Sequence, residues 1–358
     1  MDVVIARSEA TRQPLAGKVL IMTMTHRFIL AISTLLLTAC GAQAPEIKTT
    51  TGLAMGTSYT VKWIASETID DSQFSSQINQ VIRQVEDSMS TYMDASDLSG
   101  LNGAEAGVWH SVPTAMAQLI EQAQGISAAT QGAFDITVGP VVDLWGFGPN
   151  PKPETIPTLA QLEELRPLVG YQYIQVRIKP AAIKKSRASA IDLSAIAKGY
   201  GVDEVALWLQ EKGIEHYLVE IGGELRTKGR KPNGQSWRIA IESPAEQARS
   251  VFQVVRVEDR AIATSGNYRN YYEEGGVRYS HTLDPNTLQP VRHKLASVTV
   301  MADNAATADA LATALMVMGE TQGPEWAAMH NVPAYFIIWQ ADQFIAKPVA
   351  GFEEFIEP

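Results

Sequence analysis

A single cysteine, Cys40, stands among the 358 residues, so no disulfide can form within the chain. The six histidines are scattered singly and no His-Glu-x-x-His run exists, which removes the usual basis for a zinc centre. Also missing are a Gly-x-Gly-x-x-Gly turn after a strand, a Gly-Lys-Ser/Thr loop and a Gly-x-Ser-x-Gly elbow. Their absence excludes the dinucleotide fingerprint, the P-loop and the hydrolase nucleophile elbow. Basic residues are outnumbered and unclustered: 29 Lys and Arg against 39 Asp and Glu leave a formal charge of −10, which argues against a nucleic-acid partner. An acidic protein that handles an anionic ligand has to neutralise it locally, with a metal ion or a few placed cations.

What is present is a mixed pattern without repeats or low-complexity tracts. Ile78, Val81, Ile82, Val85 and Met89 recur at helical spacing and predict a helix over 74–93. Further helices are expected over 114–129, 159–168 and 197–212. Tyr59–Ile64 alternates as a strand, and 173–178 and 188–193 read as two more. From His216 to Met301 strand follows strand, over 217–221, 237–242, 252–257, 261–264, 277–282 and 295–301, and two closing strands are expected over 334–339 and 343–348. Runs of strands with helices at intervals predict an α+β fold, a single large domain of mainly antiparallel strands with flanking helices. Between 305 and 319, AATADALATALMVMG predicts a helix that carries Asp309 and Thr313 on one face, with the Ala306 carbonyl one turn earlier. A carboxylate, a hydroxyl and a carbonyl make an all-oxygen set suited to a hard cation such as magnesium, although a solvated pair or a helix cap has the same spacing.

The beginning of the chain predicts export and anchoring. Residues 1–21 lack signal character, which makes Met22 or Met24 the expected true start. Thr25, His26 and Arg27 precede an apolar run from Phe28 to Leu37 that is too short for an ordinary membrane-spanning helix. Leu-Thr-Ala-Cys at 37–40 resembles the bacterial lipoprotein box, which would make Cys40 the lipidated first residue of the mature protein. The expected division is therefore an upstream segment and signal peptide over 1–40, a tether over 41–50 and one domain over 51–358. The expected location is the bacterial cell envelope, lipid-anchored and facing the periplasm. Gly41 lacks the aspartate associated with inner-membrane retention and favours the outer membrane.

Short polar and glycine-rich motifs sit at the ends of the expected elements: Met55-Gly56-Thr57, Ser90-Thr91-Tyr92, Ala133-Phe134-Asp135, Leu144-Trp145-Gly146-Phe147-Gly148-Pro149, the run Asp192 to Gly201, Glu220-Ile221-Gly222-Gly223-Glu224, Ala263-Thr264-Ser265-Gly266 and His281-Thr282-Leu283-Asp284-Pro285. In content and order they resemble the ApbE family of FAD:protein FMN transferases, from about Thr51 to Gly319. The resemblance implies a T-shaped αβ architecture, a magnesium ion, and cleavage of FAD at its pyrophosphate. It also implies transfer of FMN through a phosphoester to a threonine or serine hydroxyl of a target protein, with release of AMP.

Carried onto these positions, the resemblance gives magnesium the side chains of Asp309 and Thr313 and the main-chain carbonyls of Ala195 and Ala306. Lys198 would hold an FAD phosphate or a polar flavin edge as a point charge. Met55, Tyr92 and Phe134 would pack against FAD's planar rings, Asp135 and Asp192 would accept hydrogen bonds from ring or ribose groups, and Ala133 and Leu283 would offer backbone contacts. Plain core packing is the alternative for each apolar residue. Trp145, Phe147 and Pro149 read as a loop staple outside the site. An acceptor hydroxyl needs its proton removed, and His281 and Asp284 beside Leu283 are the two candidates for that base. A structural hydrogen bond for His281 and a turn cap for Asp284 are their alternatives. The acceptors implied are periplasm-facing flavoprotein subunits of membrane redox complexes, of the sodium-translocating NADH:quinone oxidoreductase or Rnf type. Two other readings stand beside the transferase: an FAD pyrophosphatase that uses water in place of the hydroxyl, and a flavin-binding lipoprotein without chemistry.

Overall fold

The structure, a computed structural model, describes residues 46–64, 71–150, 153, 155–244, 250–267 and 271–358. Cys40 and the expected signal peptide lie outside these residues. An eight-stranded antiparallel sheet forms the backbone of the fold, in the order Ile47–Ala54, Thr57–Ile64, Tyr217–Ile221, Glu224–Lys228, Ala261–Gly266, Leu295–Ala302, Ala334–Gln340, Gln343–Val349. The α+β expectation holds. The first strand begins at Ile47, inside the stretch expected to be tether.

Alternation decides which side chains face which layer. Tyr217, Val219 and Ile221 join Phe74, Ile78 and Ile82 of the Asp71–Met89 helix and Val202, Val205 and Leu209 of the Ala197–Glu211 helix in one core. Leu218, between them in sequence, points to the opposite face and meets Trp237, Ile239, Val255 and Val257 of a two-stranded ribbon together with Phe352. Farther along the sheet, Val298, Val300 and Phe336 pack on Leu311, Leu315 and Met316 of the Ala305–Met329 helix. A fourth core gathers the Thr114–Ala129 helix and the small sheet Trp109–Ser111, Ala181–Lys185, Ile174–Ile178 against the start of the Ala305–Met329 helix through Ala306, Ala310 and Ala314.

One expected strand is absent. Residues 188–193 are irregular because their backbone is held by single anchors rather than by a ladder. The Asn102 side chain donates to Ile191 O (2.8 Å) and accepts from Ile191 N (2.7 Å), and Asp192 N donates to Ile136 O (2.7 Å). The strand in this region is Ala181–Lys185.

Candidate active site

Two hairpin turns and two helix starts converge at one end of the main sheet. Met55 and Gly56 form the two-residue turn between the first two strands, with φ of 52° and 70°, the positive pair that such a turn requires. Gly222 and Gly223 make the equivalent turn between Ile221 and Glu224. Gly222 lies against Thr57, Lys198 and Glu224: a Cβ there would stand 2.9 Å from Thr57 Cγ2 and 3.3 Å from Lys198 Cδ. The Met55 sulfur packs against Gly201 on the Lys198 helix, and its N–H donates to Glu86 Oε1 (2.6 Å).

The two helices touch where their charged residues sit. Gly199 leaves no room for a side chain against the Ala305 carbonyl, and its N–H donates to Asp309 Oδ2 (3.1 Å). Lys198 Nζ lies 2.9 Å from Glu224 Oε1 and 3.8 Å from Asp309 Oδ1. Both carboxylate side chains are 5% exposed, whereas the lysine side chain is 31% exposed, so part of the lysine stays accessible beside two buried carboxylates. Thr313, one turn beyond Asp309, lies 3.3 Å from the Ser265 hydroxyl at the end of a central strand.

Electrostatics show what this cluster lacks. Burial pushes the Glu224 carboxyl up to about 7 despite the lysine beside it, and burial likewise raises Asp309 against the pull of Lys198 and the Gly199 N–H. Burial alone would lower the Lys198 ammonium, but the two carboxylates outweigh it and the net shift is upward. Two carboxylates share one ammonium, and Glu224 Oε2 is buried without a hydrogen-bond partner. Among the described residues no three His, Cys, Asp or Glu side chains are grouped as a metal cluster. The donors are instead carboxylate and hydroxyl oxygens carrying one uncompensated negative charge, a set that fits a hard divalent cation completed by carbonyls, water or ligand oxygens.

A pH dependence follows. A folded-state value above the unfolded one gives stability that is present while Glu224 is protonated and is lost as pH rises from the ordinary carboxylate range through about 7. In cation-free buffer, melting followed by circular dichroism should show lower stability at pH 8 than at pH 5. Glu224→Gln should remove about 2 kcal/mol of that difference, at 1.36 kcal/mol per pKa unit.

The other expected residues fall into three places. Asp192 lines a cavity of about 210 Å³ with Thr91, Asn102, Asp143 and Ile191. Tyr92, 66% exposed beside it, donates to the Phe147 carbonyl (3.2 Å), and its hydroxyl is pushed up by burial and then by Asp192 and Asp143. Ala195 lies in the turn that enters the Lys198 helix. Ala306 sits in the first turn of the Asp309 helix, where its N–H donates to Asp203 Oδ2 (2.9 Å) and helix geometry directs its carbonyl into the ladder.

Several side chains are used by the fold itself. Phe134 is 2% exposed within the core around the Thr114–Ala129 helix, and Ala133 is buried next to it. Asp135 anchors a loop instead of waiting for a ribose: Oδ1 accepts from Thr137 N (2.8 Å) and Thr137 Oγ1 (2.6 Å), and Oδ2 accepts from Tyr171 N (2.8 Å). Leu283 packs with Trp145, Tyr279 and Leu288, while Trp145 Nε1 donates to Leu288 O (2.9 Å), as a loop staple should. Asp284 Oδ1 accepts from Asn286 N (2.9 Å) and so caps its own turn, and His281 is set edge-on to Phe147 at 6.4 Å.

Glu224, Ser265 and Asp203 are site residues that the sequence reading did not single out. Glu224 and Ser265 stand inside motifs recognised for their glycines, and that adjacency was the available signal. Asp203 had none, because its partners are more than twenty residues away in sequence.

Comparison with known proteins agrees with this arrangement. Residues 55–336 match the profile of the ApbE family. An FAD:protein FMN transferase of Vibrio cholerae is 41% identical over 334 residues, covering 93% of this chain and 99% of the relative. One of Haemophilus influenzae is 38% identical, covering 92% and 97%. The solved structure of the flavin transferase ApbE from Vibrio cholerae superposes with a TM-score of 0.81 at 39% identity, over 87% of this chain and 99% of that one.

Proposed function

The chain belongs to the ApbE family, and we propose that it is an FAD:protein FMN transferase that works through the Lys198, Glu224, Asp309 and Thr313 cluster. The observation that carries this reading is one partly exposed lysine set against two buried carboxylates, an acid-rich site that suits a cation and the phosphate it accompanies. The acceptor's threonine or serine oxygen attacks the phosphorus on the FMN side of the pyrophosphate. The bond from that phosphorus to the bridging oxygen breaks, AMP leaves with the oxygen, and the hydroxyl proton passes to a base, for which His281 is the candidate.

Lys198 binds a pyrophosphate oxygen, and its two carboxylate partners fix where the ammonium stands. Asp309 and Thr313, with the Ala195 carbonyl, would hold a magnesium ion, and their all-oxygen chemistry and the excess of acidic groups over cations support that choice. When bound, the ion supplies Lewis-acid stabilisation of the charge that builds on the breaking phosphoanhydride. Met55 and Tyr92 flank the planar rings, and Asp192 in the adjoining cavity accepts a hydrogen bond from the ligand. Anchoring through Cys40 in the bacterial envelope, facing periplasmic flavoprotein acceptors of membrane redox complexes, completes the proposal. It rests on the lipoprotein-like segment alone.

The test is incubation with FAD and magnesium, with and without an acceptor domain that carries a threonine target. AMP should appear together with a fluorescent acceptor band on a denaturing gel. AMP and free FMN without a labelled band would instead make the protein an FAD pyrophosphatase, and no AMP would leave a flavin carrier.

A further inference from the structure

The first turn of the Ala305–Met329 helix presents N–H groups with no partner inside the helix. Asn304 satisfies one of them by accepting from Thr307 N (2.8 Å). Two others are taken by a residue from a different element: Asp203, on the Lys198 helix, accepts from Ala305 N through Oδ1 (2.9 Å) and from Ala306 N through Oδ2 (2.9 Å). Arg226 Nη1 donates to the same Oδ1 at 2.7 Å. Asp203 is 6% exposed, and its two bonds to the helix N–H groups are buried.

Each of the three elements joined at this carboxylate carries one charged residue of the site. Lys198 stands five residues before Asp203 on one helix. Glu224 stands two residues before Arg226 on one strand, on the same face. Asp309 stands one turn after Ala305 and Ala306 on the other helix. We infer that Asp203, braced by Arg226, is a positioning residue that sets Asp309 and Thr313 at their distance from Lys198 and Glu224, and thereby sets the affinity of the site for a divalent cation. A cap that served helix stability alone is already present in Asn304; what the second carboxylate adds is a rigid link between helices. The two helix N–H groups and then Arg226 offset part of the cost of burying Asp203, whose carboxylate stands at the positive end of the helix dipole.

The inference rests on the transferase reading, and its test separates the two. In the full-length protein, Asp203→Asn replaces one acceptor oxygen by an amide N–H2 that cannot accept from the helix. Magnesium affinity, measured by titration calorimetry, should weaken about tenfold or more, and kcat for FMN transfer should fall by about 10- to 100-fold, as for residues that orient metal ligands. KM for FAD should stay within about threefold, because Asp203 is buried away from the ligand. Arg226→Lys, which keeps the charge but loses the planar fork, should fall between wild type and Asp203→Asn. A purely structural role would lower the melting temperature and leave cation affinity and kcat as in the wild type; that result in folded Asp203→Asn would overturn the inference. If Asp203→Asn does not fold, Arg226→Lys decides by the same two readouts. Wild-type protein that neither binds magnesium nor transfers FMN would overturn the functional reading instead.

Discussion

Asp309→Ala is expected to lower FMN transfer by about 1,000-fold, roughly 4 kcal/mol in the barrier, while leaving the protein folded. The substitution removes the carboxylate that stands between Lys198 and the Gly199 N–H, the group to which the proposal assigns the cation. Its effect on stability is small by comparison. Burial already holds this carboxyl above its ordinary range, so loss of the charge relieves a desolvation cost and offsets part of the lost hydrogen bond. Asp309→Asn keeps the volume and an acceptor for Gly199, and should lose nearly as much activity, because a neutral amide is a poor ligand for magnesium. Steady-state transfer rates beside FAD binding by fluorescence quenching check this. Binding should persist, since the ring contacts proposed for Met55 and Tyr92 do not involve Asp309, and wild-type turnover in either variant would remove Asp309 from the chemistry.

Gly199→Ala is expected to show the second large effect, on stability and activity together. In an open helix this change would stabilise by about 1 kcal/mol through helix propensity. Here the new Cβ would overlap the Ala305 carbonyl oxygen and stand 2.8 Å from Ala306 Cα, both of them backbone. Neither can rotate away, so the helices must separate, at a cost of about 3 kcal/mol for overpacking. The net loss is about 2 kcal/mol in urea unfolding, and the shift of Lys198 from Asp309 should reduce kcat by about tenfold. Stability equal to or above that of the wild type would show that the helix contact is softer than its geometry implies.

Much of this site was legible in the sequence because its residues sit in short motifs whose glycines announce close approach. Gly222 and Gly199 mark places where one element crowds another, Gly222 against the Thr57 and Lys198 side chains and Gly199 against the Ala305 backbone, and the Met55 sulfur packs against Gly201 of the same helix. The helical spacing of Asp309 and Thr313 survived intact. What the sequence concealed was long-range: Asp203 reaches across to Ala305, and no periodicity predicts that a helix cap will come from another helix. Asp135 misled for the opposite reason. A carboxylate in a short motif beside glycines suits a flavin ring or ribose group, yet both of its oxygens already accept from its local turn and from Tyr171. Residues 188–193 alternate as a strand would, but Asn102 takes the donor and acceptor of Ile191 that a ladder would need.

The most direct measurement of the central claim is the intact mass of an acceptor domain after incubation with the protein, FAD and magnesium, with Asp309→Ala alongside. Wild-type protein should raise the acceptor's mass by one FMN less water, localised by fragmentation to a threonine or serine, and the variant should leave it unchanged. An acceptor of unaltered mass while FAD is consumed to FMN and AMP would contradict transfer and establish hydrolysis.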